Sequence, residues 1–142
     1  SAVKCSNFIG ITIDSACEKG FKNLLLCGHI GKLVKVAGGI YNTHSKEADC
    51  RMELLACAAI EAGCGDPAVK KIIDAATTEE GISIIESEGK TKEAMNYLLK
   101  KIMFFLEKRA GGRINIGCMV YSNKFGLLAE SKNAREILRE VM

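Results

Sequence analysis

The apolar positions along the chain change period several times, and each change marks an element. Phe21 to Cys27 is a short, nearly continuous apolar run behind Gly20. Such a run reads as a strand buried on both faces, with a buried helical segment as the alternative. From Ile30 the period lengthens. Ile30, Leu33, Val34 and Ala37 recur at helical spacing and put Lys32 and Lys35 on the opposite side of a two-turn helix, Lys35 solvated. Gly38-Gly39 stops that helix, because glycine takes the left-handed C′ conformation at little cost. Ser45 then suits the N-cap of a further helix striped by Ala48, Met52, Leu55, Ala56, Ala59 and Ile60. On it Glu47 and Asp49 occupy the first turn, Asp49 and Glu53 share a face, and Arg51 projects elsewhere.

Around this centre, Val3 to Cys5 predicts a short extended segment, followed by a helix over Phe8 to Lys19 capped by Ser6 or Asn7. Gly63 to Gly112 reads as consecutive helices. One opens at Asp66-Pro67, one at the capping-box spacing of Thr77 to Glu80, and the longest at Thr91, with Met95, Leu98, Leu99, Ile102, Met103 and Leu106 as its apolar side. Phe104 and Phe105 widen that side, for packing on the sheet or on a further domain. Arg113 to Tyr121 alternates with period two, the mark of a strand, and Ser122-Asn123-Lys124 is turn chemistry before a short strand over Phe125 to Ala129. Ser131 caps a last helix through Val141. The pattern predicts a single α/β domain over residues 1–142: helix-rich, three-layered and Rossmann-like, with a small, mostly parallel sheet. Ligands of such folds lie beyond the carboxyl ends of the strands, which places Ser6-Asn7 and Gly28-His29 at one edge.

Composition narrows the function classes. With 48% hydrophobic and 26% charged residues the 142-residue chain can bury a core of its own. A formal charge of +3, no Trp and no basic strip give nucleic acid little to hold. No apolar run reaches the roughly 18 residues that a membrane span needs, and the cytoplasm is the expected compartment. Ser1 in place of an initiator Met fits a truncated or processed chain. The seven cysteines are odd in number, include no Cys-x-x-Cys and sit mostly among apolar neighbours, so they read as free thiols of a reducing compartment, and no metal is expected. A zinc site from His29, His44 and Cys50 is the competing reading.

The candidate chemistry gathers in residues 28–53, which contain both histidines, His29 and His44. A strand turning through Gly28 and Gly31 into a helix aims backbone N–H groups above the sheet edge, where anions are favoured. The spacing lacks the length and the Ser/Thr of a nucleotide phosphate loop. Asn42, Thr43, His44 and Ser45 follow in one loop, where His44 serves either as a ligand or catalytic contact or as a loop-ordering hydrogen bond. Asp49, Arg51 and Glu53 read by themselves as an ion-pair set.

Five stretches in order carry a resemblance: Cys-Ser-Asn-Phe-Ile-Gly (5–10), His-Ile-Gly-Lys-Leu-Val-Lys-Val-Ala-Gly-Gly (29–39), Asn-Thr-His-Ser (42–45), Ala-Asp-Cys-Arg-Met-Glu (48–53) and Tyr-Ser-Asn-Lys-Phe-Gly-Leu-Leu-Ala-Glu-Ser (121–131). Together they resemble the cobalt-precorrin-5B C-1 methyltransferase family of anaerobic cobalamin biosynthesis, over essentially the whole chain. The family's Gly/Thr-rich N-terminal portion is absent, so the resemblance implies the C-terminal part of a longer enzyme, inactive alone. It implies transfer of the S-adenosylmethionine methyl group to C-1 of a cobalt-containing tetrapyrrole, giving cobalt-precorrin-6A, with cobalt only as part of the substrate. On that footing His29 and His44 are the catalytic candidates. Ser6, Asn7, Gly28, Lys32, Asn42, Thr43 and Ser45 are candidates for the tetrapyrrole and its carboxylates, and Asp49 and Glu53 for the adenosyl ribose. Which of the two ligands this edge holds stays open. The missing N-terminal domain and a second copy of the chain are the expected protein partners. The alternative to an enzyme is a non-catalytic tetrapyrrole-binding or protein-interaction module.

Overall fold

In a computed structural model covering residues 2–141, Ser1 and Met142 lie outside the described residues. The chain runs α1 (Ile9–Glu18), β1 (Asn23–His29), α2 (Ile30–Val36), α3 (Arg51–Ala62), α4 (Asp66–Ile73), α5 (Thr78–Ser87), α6 (Thr91–Ala110), β2 (Asn115–Ser122), β3 (Gly126–Glu130) and α7 (Ala134–Val141). The α/β class stands, but the sheet is mixed rather than mostly parallel. Its order is β1-β2-β3, with β1 and β2 parallel and β2 and β3 antiparallel. The reason is the turn between β2 and β3. Only Asn123 to Phe125 separate the strands, and a parallel pair needs a crossover of a dozen residues or so. Residues 2–5 form no strand, so the extended segment expected at Val3 to Cys5 does not join the sheet.

Side chains alternate across the sheet and sort its faces. Ile116, Cys118 and Val120 of β2, with Leu26 of β1, join the main core, where Ile102 and Leu106 of α6 and Leu33 and Val34 of α2 are also buried. Gly117 lies on the opposite face, under α7: a Cβ there would stand 3.0 Å from Ile137 Cδ1 and 3.0 Å from Asn133 Oδ1. β1 is an edge strand, not one buried on both faces. Leu26 is buried, Leu24 and Leu25 are half-buried and Cys27 is exposed.

The helical region matches its sequence signals closely. Pro67 sits in the first turn of α4, Thr77 Oγ1 accepts the Glu80 N–H at 3.1 Å to open α5, and Gly111 ends α6 at φ 60°. Ile60, expected in the α3 stripe, is 60% exposed. Phe105 packs on Gly39, whose added Cβ would come 3.0 Å from the ring, whereas Phe104 is exposed. α1 is locked to α6 by a bidentate Asp14–Arg109 pair at 2.9 and 2.8 Å. The Arg109 guanidinium also lies 4.8 Å above the Tyr41 ring, and the Tyr41 hydroxyl donates to the Phe105 carbonyl at 2.7 Å.

Gly117→Val should drive α7 off the sheet. Overpacking of this kind costs about 1–3 kcal/mol, and urea unfolding of the variant should show that loss, while Gly20→Ala, which meets no neighbour but carries φ 75°, reports backbone strain alone.

Candidate functional site

The sequence places a lysine at the sixth position of α2, on the side expected to face solvent. The structure buries it. Lys35 is 2% exposed, and its Nζ donates to the Thr43 carbonyl at 3.0 Å and the Ala48 carbonyl at 2.8 Å. A buried ammonium needs such partners, and these two hold the ends of the Thr43–Ala48 segment together. The segment is held in an irregular turn, so α3 begins at Arg51, with Cys50 as N-cap, and not after Ser45. Asp49 therefore lies outside the helix and shares no helical face with Glu53. Arg51, expected to project away, instead grips Asp49 through Nε at 2.9 Å and Nη2 at 3.1 Å. Those hydrogen bonds hold the Asp49 carboxyl below the usual carboxylate range, and the nearby Lys35 charge adds to the effect.

The same loop is stitched to the start of α1. Thr43, 4% exposed, donates its N–H to the Asn7 carbonyl and its hydroxyl to Asn7 Oδ1, both at 3.0 Å. Phe8 and Asn42 form an isolated antiparallel bridge, and the Tyr41 carbonyl accepts the Ile9 and Gly10 N–H groups. That carbonyl, rather than a side chain of Ser6 or Asn7, satisfies the first turn of α1, whose N-cap is Phe8. Ser6 occupies the preceding turn at φ 50°. The His44 N–H donates to Asn42 Oδ1 at 3.2 Å, and His44 Nδ1 accepts the Lys46 N–H at 3.0 Å. An acceptor role for Nδ1 puts the proton of the neutral ring on Nε2. His44 and Ser45 are exposed, so the loop offers solvent an Nε2–H and a hydroxyl on a backbone fixed from beneath.

His29 belongs to a separate cluster. It closes β1 and caps α2, its Nδ1 accepting the Gly31 N–H at 3.0 Å while Nε2 sits 3.0 Å from Glu79 Oε1. Both ring nitrogens are thus engaged. Tyr121, its register partner on β2, meets the ring edge-on at 6.0 Å. Glu79 Oε1 also accepts the Asn123 N–H at 3.2 Å, while its Oε2 is buried without a partner among the described residues. Glu79 therefore ties α5, the β1–α2 junction and the β2–β3 turn together. Its only signal in the sequence was its place in the acidic first turn of a helix.

α2 separates the two clusters. It descends from His29 at the carboxyl end of β1 to Lys35 beside the loop, and seven residues span about 10 Å. Ser6-Asn7 and Gly28-His29 therefore do not share an edge. Asn7, Asn42, Thr43, His44 and Asp49 are linked to Lys35 directly or through the loop, and Ser6 and Ser45 adjoin them in sequence, whereas Gly28 and His29 lie at the sheet end. Gly28 is a packing position, where a Cβ would meet Leu33 Cδ1 at 3.0 Å. Lys32 and Glu53 are exposed. His29, His44 and Cys50 do not converge, and no group of three or more metal-ligating side chains forms among the described residues. Burial, and then the charges of Glu53 and Asp49, raise the Cys50 thiol above its ordinary value, which opposes a thiolate ligand.

A family model described as "CbiD, C-terminal domain" matches residues 42–132. The chain belongs to the CbiD C-terminal domain family. A relative from Methanocaldococcus jannaschii named cobalt-precorrin-5B C(1)-methyltransferase is 43% identical over 122 residues, covering 86% of this chain and 33% of that protein. Relatives of the same name from Alkaliphilus metalliredigens and Fusobacterium nucleatum are 38% and 35% identical, over 96% and 95% of this chain. This CbiD C-terminal domain spans about a third of the length of the curated relatives it matches. No solved structure matches it. The family match begins at Asn42, on the loop that Lys35 holds, and takes in Glu79 and Tyr121.

Lys35→Met leaves two carbonyls without their donor and should cost roughly 2–4 kcal/mol, with faster exchange of the Thr43 amide. Lys32→Ala should fall within about 0.5 kcal/mol of the parent in the same urea titration. Because the folded Asp49 pKa is depressed, its stabilisation is present above the unfolded value and vanishes as pH falls through the folded one. Asp49→Asn should therefore be less stable than the parent at pH 7, and the gap should close below pH 4.

Proposed function

We propose that this chain is the acceptor-side part of an S-adenosylmethionine-dependent methyltransferase that acts on C-1 of cobalt-precorrin-5B to give cobalt-precorrin-6A in cobalamin biosynthesis. One observation carries the assignment of the acceptor side. The loop from Asn42 to Asp49 is fixed by Lys35 and Asn7, yet leaves His44 Nε2–H and the Ser45 hydroxyl exposed on its outer surface.

Transfer of a methyl group from a sulfonium forms a carbon–carbon bond as the carbon–sulfur bond breaks, and the sulfur departs as a neutral thioether. The protein's share is to hold the two reactants in line and exclude water. A loop already held in one conformation loses little further entropy when it meets a rigid macrocycle, which is why anchoring from beneath helps. The tetrapyrrole presents carboxylates, and His44 Nε2–H is a fitting donor to one of them. Lys32, exposed on α2, is free to approach another, as a point charge.

The methyl donor is better placed on the remaining two-thirds of the protein. Asp49, the candidate for its ribose hydroxyls, is committed to Arg51 through both carboxylate oxygens, and Glu53 lies apart on α3. His29 has no free nitrogen for proton transfer and acts as a cap that orients α2.

Titration of this chain with a cobalt corrinoid polycarboxylate should show binding, and His44→Ala should weaken it tenfold or more, as loss of a hydrogen bond to a charged group, about 1.5–3 kcal/mol, requires. S-adenosylhomocysteine should give no heat with this chain. Unchanged corrinoid affinity in His44→Ala, or nucleoside binding abolished by Asp49→Asn, would reverse the assignment.

A further inference from the structure

The two edges of the sheet are built differently. β3, the outer strand on one side, is five residues long, pairs across a bulge at Val120 and Tyr121, and ends in Glu130, which is held by Arg135 at 2.9 Å. Short strands, bulges and charges are the devices by which proteins keep an edge from pairing with another chain. β1 has none of them. It is seven residues long, Asn-Leu-Leu-Leu-Cys-Gly-His, in unbroken register with β2, with no charged residue before His29 and no proline. It is also parallel to its one neighbour, and parallel strands belong inside sheets covered on both sides.

The surroundings of that edge are apolar and open. Phe21, just before the strand, is 58% exposed, and Cys27 within it is exposed. α7 covers only the lower part of this face, where Asn23 Nδ2 reaches Glu140 at 2.9 Å; Tyr121 and Leu127, further along the same face, are 43% and 46% exposed. Among the described residues, nothing more covers them.

We propose that β1 is an interior strand of the complete protein, and that the region preceding this domain in the longer CbiD protein adds a strand along the Asn23–His29 edge. That occupant follows from two facts: the family is by description a C-terminal domain, and the chain spans about a third of its relatives' length, so roughly two-thirds of such a protein is available to cover the edge. The exposed rim fits an apolar strand with an uncharged face. The proposal stands on the edge and on the family's place in a longer chain, and is independent of the reaction assigned above.

Alkylation of Cys27 reads the edge directly. With iodoacetamide and peptide-level mass spectrometry, Cys27 and Cys57, both exposed, should label in this chain, while buried Cys118 stays unlabelled as long as the domain is folded. In the longer protein Cys27 should label at least tenfold more slowly relative to Cys57. Equal slowing of both, or of neither, overturns the proposal. So does protection of Cys27 in the isolated chain that disappears on dilution, because the edge is then covered by a second copy. Cys27→Lys offers an independent reading. It should leave the urea midpoint of this chain unchanged, yet lower that of the longer protein; a midpoint unchanged in both contradicts strand addition.

Discussion

A single buried ammonium decides the shape of the loop region. Lys35 is 2% exposed, so its charge is tolerable only while the Thr43 and Ala48 carbonyls remain within hydrogen-bonding distance. That requirement closes the loop over the end of α2, delays α3 until Arg51, and frees Asp49 to pair with Arg51. It also presents the Thr43 backbone to Asn7, which is how the start of α1 comes to be attached to residues far from it in sequence. The exposed His44 ring takes its orientation from the same arrangement.

Much of the fold was legible because it follows local rules. The capping chemistry at Thr77, the Pro67 start and the Gly111 stop are short-range signals, and α4, α5 and α6 appear where those signals put them. Both strands of the β2–β3 hairpin were also readable from alternation and turn residues. The edge position of β1 was not, because a run of leucines looks the same in a central strand as in one at the edge of the sheet. The site was only half legible. The residue types around His44 were visible, but a lysine on the polar side of a two-turn helix reads as solvated, and only the tertiary fold shows two carbonyls closing over it. Glu79 gave still less warning, since its contacts to His29 and Asn123 span 50 and 44 residues.

The split between the two histidines changes how the site is understood. At the carboxyl ends of β1 and β2, His29, Glu79, Tyr121 and Asn123 form a clasp whose hydrogen bonds are directed inward, and this clasp holds three elements in register. Around Lys35, by contrast, the inward bonds belong to backbone and to Asn7, and the outward-facing groups are left free. The first arrangement suits a scaffold, and the second suits a surface that meets a ligand. The expectation borrowed from doubly wound sheets, in which ligands gather at the strand ends, put Ser6-Asn7 and Gly28-His29 at one edge and foresaw no such split.

The central claim, that the Lys35-anchored loop is the acceptor surface, is tested most directly by amide hydrogen exchange on the longer protein with and without a cobalt corrinoid polycarboxylate. The account predicts that the macrocycle slows exchange across residues 44–49 and leaves residues 29–31 and 121–123 as they were. Protection confined to the His29 and Tyr121 end, with residues 44–49 unaffected, would contradict it.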